Sequence, residues 1–319
     1  MSDLIVFLLS LIAIILGAEW LGASAVEVAK KLNIPKVVIG ATLVSVATTL
    51  PEISVSFFSG IRNEGVIGLG TVLGSPAANL GLILGLVLLF SAARVNKFYF
   101  TRTIYIFIFL TAVVVALGLK GNIDKNGGIL LITLGLIYLI FEFIISQKEA
   151  GLIESLESRF DKIRSFFSRI DTYKILLYFV LGALLLALGG DYLVKSTISL
   201  ANFFKIPEIV VSLTVIALGT SLPELATAIN SVVKKRISLS IGNLAGASIM
   251  DFTVALGAGV IFYNAPVSKT LLVIASVALF SIAFIALLGI LNKIPSKLAG
   301  SGLIFIYLLF ILIGVITGS

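Results

Sequence analysis

Long apolar runs broken by short polar clusters set the pattern of this chain. A window of about 20 apolar residues is long enough to cross a bilayer as a helix. Ten such windows recur, over roughly 4–29, 37–61, 66–91, 99–119, 127–146, 174–199, 208–232, 238–263, 268–290 and 299–317. The breaks are legible as Lys30-Lys31-Leu32-Asn33-Ile34-Pro35-Lys36, Arg62-Asn63-Glu64-Gly65, Lys120-Gly121-Asn122, Lys234-Lys235-Arg236 and Asn292-Lys293-Ile294-Pro295. No positive n-region precedes the first run, so Leu4 onward reads as a retained helix and not as a signal peptide. One longer polar stretch, 147–173, separates five spans from five. There Leu152, Ile153, Leu156, Phe160, Ile163, Phe167 and Ile170 recur at helical spacing. Such spacing predicts an amphipathic helix on the leaflet surface, with a solvated tether as the equal alternative.

The polar residues inside the spans are not scattered. Thr48-Thr49-Leu50-Pro51-Glu52 returns as Thr220-Ser221-Leu222-Pro223-Glu224, 172 residues later. The same offset aligns Gly17, Glu19, Leu21 and Ser24 with Gly189, Asp191, Leu193 and Ser196. It also aligns Ile34-Pro35 with Ile206-Pro207, Thr42 with Thr214, and Ser59 with Ser231. Further on it matches Gly70, Gly74 and Gly85 with Gly242, Gly246 and Gly257, and sets Asn79 opposite Asp251. No gap is needed across three spans, which chance likeness of apolar sequence does not explain. Five spans per half reverse the direction of entry. The expected fold is an all-α integral membrane protein of ten helices in two inverted repeats, with a site near the midplane at their interface. The first repeat covers 1–146, with its motif at 40–85. The linker covers 147–173, and the second repeat 174–319, with its motif at 212–257.

An ionised acid at the centre of a membrane helix costs roughly 2.5–3.5 kcal/mol on insertion scales, so it reads as functional by default. Pro51 and Pro223 cannot donate a backbone hydrogen bond, which frees carbonyls around Ser45 to Thr48 and around Ala217 to Thr220. Carboxylates, hydroxyls and carbonyls together form an oxygen-only ligand set. Such a set suits a hard cation such as Ca²⁺. Ser75 and Asn79 join Asp251 as candidates, the first two four apart on one helix face. Three acids close together repel one another, so protons should enter as a cation leaves. Glu19 and Asp191 are also matched intramembrane acids. They are candidates for an entry path or gate, with pairing of Asp191 to Lys195 as the alternative.

Composition narrows the chemistry. Apolar residues make up 59% and charged ones 12%, against about 25% charged in a soluble domain. With neither Cys nor His, the chain has no disulfide, thiolate or imidazole ligand, and no histidine base. Zinc and copper chemistry is therefore disfavoured, as are serine and H-E-x-x-H intramembrane proteases. A G-x-G-D aspartyl signature is also missing, so no enzyme activity, catalytic residue or cofactor is expected. The net charge of +7 sits at helix ends and loops and does not point to nucleic acid. Of 23 Lys and Arg, 17 lie in loops after odd-numbered spans or in the linker. The positive-inside bias puts those loops in the cytoplasm and both termini outside. The partners expected are inorganic cations and the lipid bilayer, with no obligate protein partner evident.

At these residues the sequence resembles the calcium/cation antiporter superfamily, most closely its prokaryotic sodium/calcium-exchanger-like branch. That branch repeats a G-T-S-L-P-E-like and a G-N-x-x-G-S-like motif. The second copy here reads Gly219-Thr220-Ser221-Leu222-Pro223-Glu224, then Gly242-Asn243-Leu244-Ala245-Gly246-Ala247-Ser248. The first reads Ala47-Thr48-Thr49-Leu50-Pro51-Glu52, then Gly70-Thr71-Val72-Leu73-Gly74-Ser75. The resemblance implies that Glu52 and Glu224 bind Ca²⁺, assisted by carbonyls of Thr48 and Thr220. Asn79 and Asp251 would complete a central diamond. It implies outer sodium positions lined by Ser45, Thr48, Thr49 and Ser75 on one side and by Ala217, Thr220 and Ser221 on the other. It also implies that spans 1 and 6 slide across the core to alternate access. Ala247 stands where the motif has a Ser, Thr49 replaces Ser, and Ala47 replaces Gly. The lost hydroxyl favours exchange of Ca²⁺ against H⁺, with Na⁺ as the alternative. Asn79 and Asp251 follow the sodium pattern, and the first repeat lacks the G-N-x-x-E of dedicated calcium/proton exchangers. A cation channel is the competing transport reading.

Overall fold

The computed structural model describes residues 2–31, 45–90, 97–146, 172–233 and 237–318. The linker over 147–171, Ile34-Pro35, Thr42 and the Lys234–Arg236 break lie outside the described residues. In the first half the elements are α1 (Ser2–Lys31), α2 (Ser45–Thr48), α3 (Leu50–Ile61), α4 (Gly65–Ala77), a π-helical segment Ala78–Ile83, α5 (Leu84–Phe90), α6 (Lys97–Gly118), β1 (Asn122–Ile123) and α7 (Lys125–Ser146). The second half has α8 (Thr172–Phe204), α9 (Glu208–Val211), a π segment Ser212–Ile216, α10 (Ala217–Thr220), α11 (Leu222–Val233) and α12 (Ile237–Met250). A third π segment Asp251–Ala255, α13 (Leu256–Val260), β2 (Ala265–Pro266), α14 (Lys269–Ile290) and α15 (Ser296–Gly318) complete it.

Among the described residues eight helices are long and apolar enough to cross a membrane, and a ninth crossing follows if Glu208–Thr220 and Leu222–Ile229, bent by 41°, form one span. Leu50–Ile61 is apolar but shorter, because the break at Thr49 separates it from Ser45–Thr48. The chain is thus a multi-pass, all-helical membrane protein. Several ends have clear causes. Asn63, Lys205 and Asn292 take positive φ values of 62°, 56° and 57°, the left-handed conformation that closes helices. The Lys205 turn comes five residues later than the apolar pattern predicts, since α8 runs on to Phe204.

The elements around the repeated motif match between the halves. Adding 172 to the bounds of α2, α3 and the start of α5 gives α10, α11 and the start of α13. Helices α1 and α8 pack along one another more extensively than any other pair. They run antiparallel, with Ser199 donating to Asp3 at 2.6 Å and Gly17 lying against Gly182 and Leu186. A Cβ on Gly17 would come within 2.8 Å of the Gly182 oxygen, and one on Gly182 within 2.6 Å of the Leu21 nitrogen. Small residues let the two backbones touch, which is how membrane helices gain packing energy. The contacts Gly17–Leu186 and Ile14–Gly189 are equivalent under the 172-residue offset, as a two-fold relation between antiparallel helices requires.

The larger hydrophobic core takes in α4 to α7 and α12 to α15, and a smaller one joins α1, α3 and α8. In the larger core the aromatic rings are prominent. Phe100, Phe107, Phe252 and Phe310 are among its largest fully buried side chains, and Phe107 stacks on Phe252 at 5.3 Å between centroids. A short antiparallel pairing of Asn122–Ile123 with Ala265–Pro266 ties two loops together.

Candidate cation site

Both Leu-Pro-Glu motifs interrupt their helices in the same way. Thr49 (φ −94°, ψ 0°) separates α2 from α3, and Ser221 (φ −82°, ψ 4°) separates α10 from α11. Each proline follows at the start of the next helix, where its missing N–H costs little. Glu52 and Glu224 therefore sit in the first turn of α3 and α11, where the helix dipole favours negative charge.

Asn79 and Asp251 occupy equivalent places in the π segments that continue α4 and α12. π-Helical turns are rare and gather at functional sites. Neither segment was legible in the sequence. The weak signals are Pro76, inside α4 three residues before Asn79, and the alignment of Asn79 with Asp251. The halves interlock: α3 packs against the π segment of Asp251, and α11 against that of Asn79.

Four elements thereby converge. Glu52 lies beside Glu224, Thr220 and Ser221, and Asp251 interacts with both glutamates. Glu52, Glu224, Asp251 and Asn79 are each 1% exposed. Glu52 Oε2, Asn79 Oδ1, Ser221 Oγ and both Asp251 carboxylate oxygens are buried without a hydrogen-bond partner, as is Ser75 Oγ on α4. Each orphaned buried group costs about 1–3 kcal/mol, a cost that a bound cation would offset. Among the described residues no three acidic side chains are drawn tightly enough to form a ready metal cage.

The hydroxyls divide into two kinds. Thr220 donates to the Ile216 carbonyl at 3.1 Å and lies 3.3 Å from that of Ala217, and Ser248 to Leu244 at 2.8 Å. Those satisfy their own helix. Ser75 Oγ and Ser221 Oγ do not: both are buried without a partner, and Ser221 lies beside Glu52. The Ala217 carbonyl already accepts from the Ser221 N–H at 3.1 Å. Thr48 and Thr49 are buried beside the motif. Ser45 opens α2, but its side chain lies outside the described residues. Ala247, the position without a hydroxyl, is 2% exposed. The tight fit of α4 against the second half holds these parts together: a Cβ on Gly74 would fall 2.3 Å from the Leu213 oxygen, and one on Gly70 2.0 Å from Ser212 Oγ.

Asp191 is not in this cluster. Lys195 holds its Oδ2 at 3.0 Å, as the sequence alternative has it. Arg62 binds its Oδ1 through Nε and Nη2, a pairing across 129 positions that no local pattern announces.

Comparison with known proteins follows this geometry. The family model described as "Sodium/calcium exchanger protein" matches residues 2–144 and 174–315. Inner membrane protein YrbG of Escherichia coli (strain K12) is 30% identical over 251 residues, 78% of this chain and 77% of its own. Sodium/calcium exchanger MaX1 of Methanosarcina acetivorans is 26% identical, with 90% and 91% covered. The solved structure of the sodium-calcium exchanger NCX_Mj, soaked with Na⁺ and Ca²⁺, superposes with a TM-score of 0.63 at 24% identity, covering 98% of each chain. That likeness concerns the fold.

Proposed function

The chain belongs to the sodium/calcium exchanger protein family, and from that premise we propose that it exchanges Ca²⁺ against H⁺ by alternating access at the buried carboxylate cluster. Na⁺ is the alternative counter-ion. The observation that carries this reading is the convergence of Glu52, Glu224, Asp251 and Asn79, buried and rich in orphaned oxygens, at the crossing of the two halves.

Glu52 and Glu224 are the central Ca²⁺ ligands in this reading, with the carbonyls of Thr48 and Thr220 beside them and Asn79 and Asp251 completing the ring. An oxygen-only shell matches the preference of Ca²⁺. Three acids crowded in low dielectric cannot all stay charged when the cation leaves. Proton uptake then returns the site to neutrality, which couples the two fluxes without a separate proton site. Ser45, Thr49 and Ser75 on one side and Ala217 and Ser221 on the other are the outer positions that Na⁺ would use. The second set is poorer by the hydroxyl missing at Ala247, which supports the proton. The orphaned Ser75 hydroxyl supports Na⁺ on the first side.

The architecture in this reading is ten spans in two inverted repeats, 1–146 and 174–319, joined by the linker. Both termini lie outside and the linker in the cytoplasm. Flux of ⁴⁵Ca²⁺ in proteoliposomes, with pH and Na⁺ gradients imposed separately, tests it. Glu52→Gln and Glu224→Gln each abolish exchange; near-normal exchange by either refutes the central site. Uptake that needs no counter-ion gradient or efflux identifies a channel instead.

A further inference from the structure

The α1–α8 pair does not sit evenly between the two halves. Helix α8 packs along α3, whereas α1 makes no comparable contact with α11 among the described residues. Yet α3 and α11 are equivalents under the 172-residue offset, as are α8 and α1. The uncovered side of α11 is exposed at Leu222 (46%), Ile229 (57%) and Val233 (75%), and at Ala226 between them.

Three neighbouring contacts fix α8 along α3. Ser54 Oγ donates to the Leu186 carbonyl at 2.7 Å. Gly190 lies so close that a Cβ there would be 2.3 Å from Ser54 Oγ and 2.7 Å from the Phe58 ring. Arg62, the residue that caps α3, binds Asp191 through Nε and Nη2, and Lys195 takes the other carboxylate oxygen. The cluster is half-exposed, with side-chain exposures of 29% for Arg62, 23% for Asp191 and 46% for Lys195. Ion pairs of that kind are individually weak and exchangeable with water. That is the property of a contact that forms and breaks, and not of a structural bolt.

We propose that Arg62 and Asp191 form a conformational latch: the pair holds α8 against α3 in one state and releases it when the α1–α8 pair shifts to cover α11. This rests on the alternating-access reading. The equivalents of Leu186 and Gly190 on α1 are Ile14 and Ala18, and the equivalent of Ser54 is Ala226. In the shifted state Ile14 and Ala18 lie over Ala226, as Leu186 and Gly190 now lie over Ser54. Ala226 has no hydroxyl, so the Ser54 hydrogen bond has no counterpart there and apolar packing alone holds that contact. The apolar surface of α11 then exchanges lipid contact for α1, while Asp191 keeps Lys195, which travels on its own helix. Arg62 is thus a positioning residue that acts on helix placement and not on the cation.

The chain has no Cys, so introduced thiols report without background. Spin labels on Asn63→Cys and Phe203→Cys, both exposed, span the end of α3 and the end of α8 in the full chain in lipid nanodiscs. Arg62→Gln and, independently, Asp191→Asn are expected to raise a second distance population at least threefold. The charge-swapped Arg62→Asp/Asp191→Arg protein, carrying Lys195→Glu so that residue 191 keeps an oppositely charged neighbour, is expected to return the original distribution. Unchanged distances in both single variants overturn the latch. So does a shift that the swap fails to reverse, because it marks a general packing role. Since the distances are read without any flux, a chain that fails to exchange Ca²⁺ refutes the antiport reading separately.

Discussion

A carboxylate buried in an apolar helix persists only where something offsets its lost hydration. For Asp191 the offset is visible as two cations; for Asp251 it is not, since both its oxygens are buried and orphaned. That contrast separates an acid held by protein cations from one proposed to meet a transported cation more sharply than position in a span does. Glu52, Glu224 and Asp251 stand out in the sequence because acids are costly there, and the structure buries all three. Ser75 and Ser221 stand in the sequence among several candidate hydroxyls; many hydroxyls in the spans, such as Thr71 and Thr253, simply bond the carbonyl four residues back, whereas Ser75 Oγ and Ser221 Oγ are buried without a partner. Ser75 and Ala247 are equivalent positions, so Ala247→Ser tests the counter-ion at the level of one atom. It is expected to increase the Na⁺ dependence of ⁴⁵Ca²⁺ flux several-fold. An unchanged Na⁺ dependence removes the argument from the missing hydroxyl.

Helix breaks and tight contacts place these atoms. The prolines signalled the breaks at Thr49 and Ser221, and the structure puts the breaks there. The π segments left no comparable mark, because a register change of one residue needs no distinctive side chain. Repeated glycines read as packing, and the distances say which of them matter. A Cβ on Gly74 meets the backbone oxygen of Leu213 at 2.3 Å, which cannot rotate away, whereas one on Gly302 meets only the end of Ile285 at 3.5 Å. Overpacking costs about 1–3 kcal/mol, and replacing a helical Gly by Ala returns about 1 kcal/mol. Gly74→Ala is therefore expected to lower the midpoint of thermal unfolding in detergent. Gly302→Ala is expected to leave it unchanged or raise it. Equal midpoints for the two variants contradict the close contact of α4 with the π segment Ser212–Ile216 as the source of rigidity under the site.

At the scale of the whole molecule the multi-pass, all-helical membrane character was legible in the long apolar runs. The proposed reversal of the second half rests on an odd number of spans per half. The antiparallel α1–α8 contact fits that proposal. Its off-centre placement was not legible, because the repeats carry matched residues on both helices and sequence does not say which half the pair leans on. These two helices contain 30 and 33 residues; at 1.5 Å per residue they are about 45–50 Å long. A hydrocarbon core of about 30 Å cannot hold them upright, so they tilt or project beyond it. Which ends project outside follows from charge. The Asn63 turn follows an even-numbered span and carries one cation, Arg62. The Asn292 turn follows an odd-numbered span and is flanked by Lys293 and Lys297. Cations are retained on the cytoplasmic side, so the two exposed turns should lie on opposite faces. In intact cells an impermeant maleimide is expected to label Asn63→Cys and to spare Asn292→Cys until the membrane is permeabilised. Labelling of both turns from one side contradicts the reversed entry of the second half. The opposite order of labelling keeps the repeat and inverts the whole molecule, placing the Arg62–Asp191 contact on the cytoplasmic face.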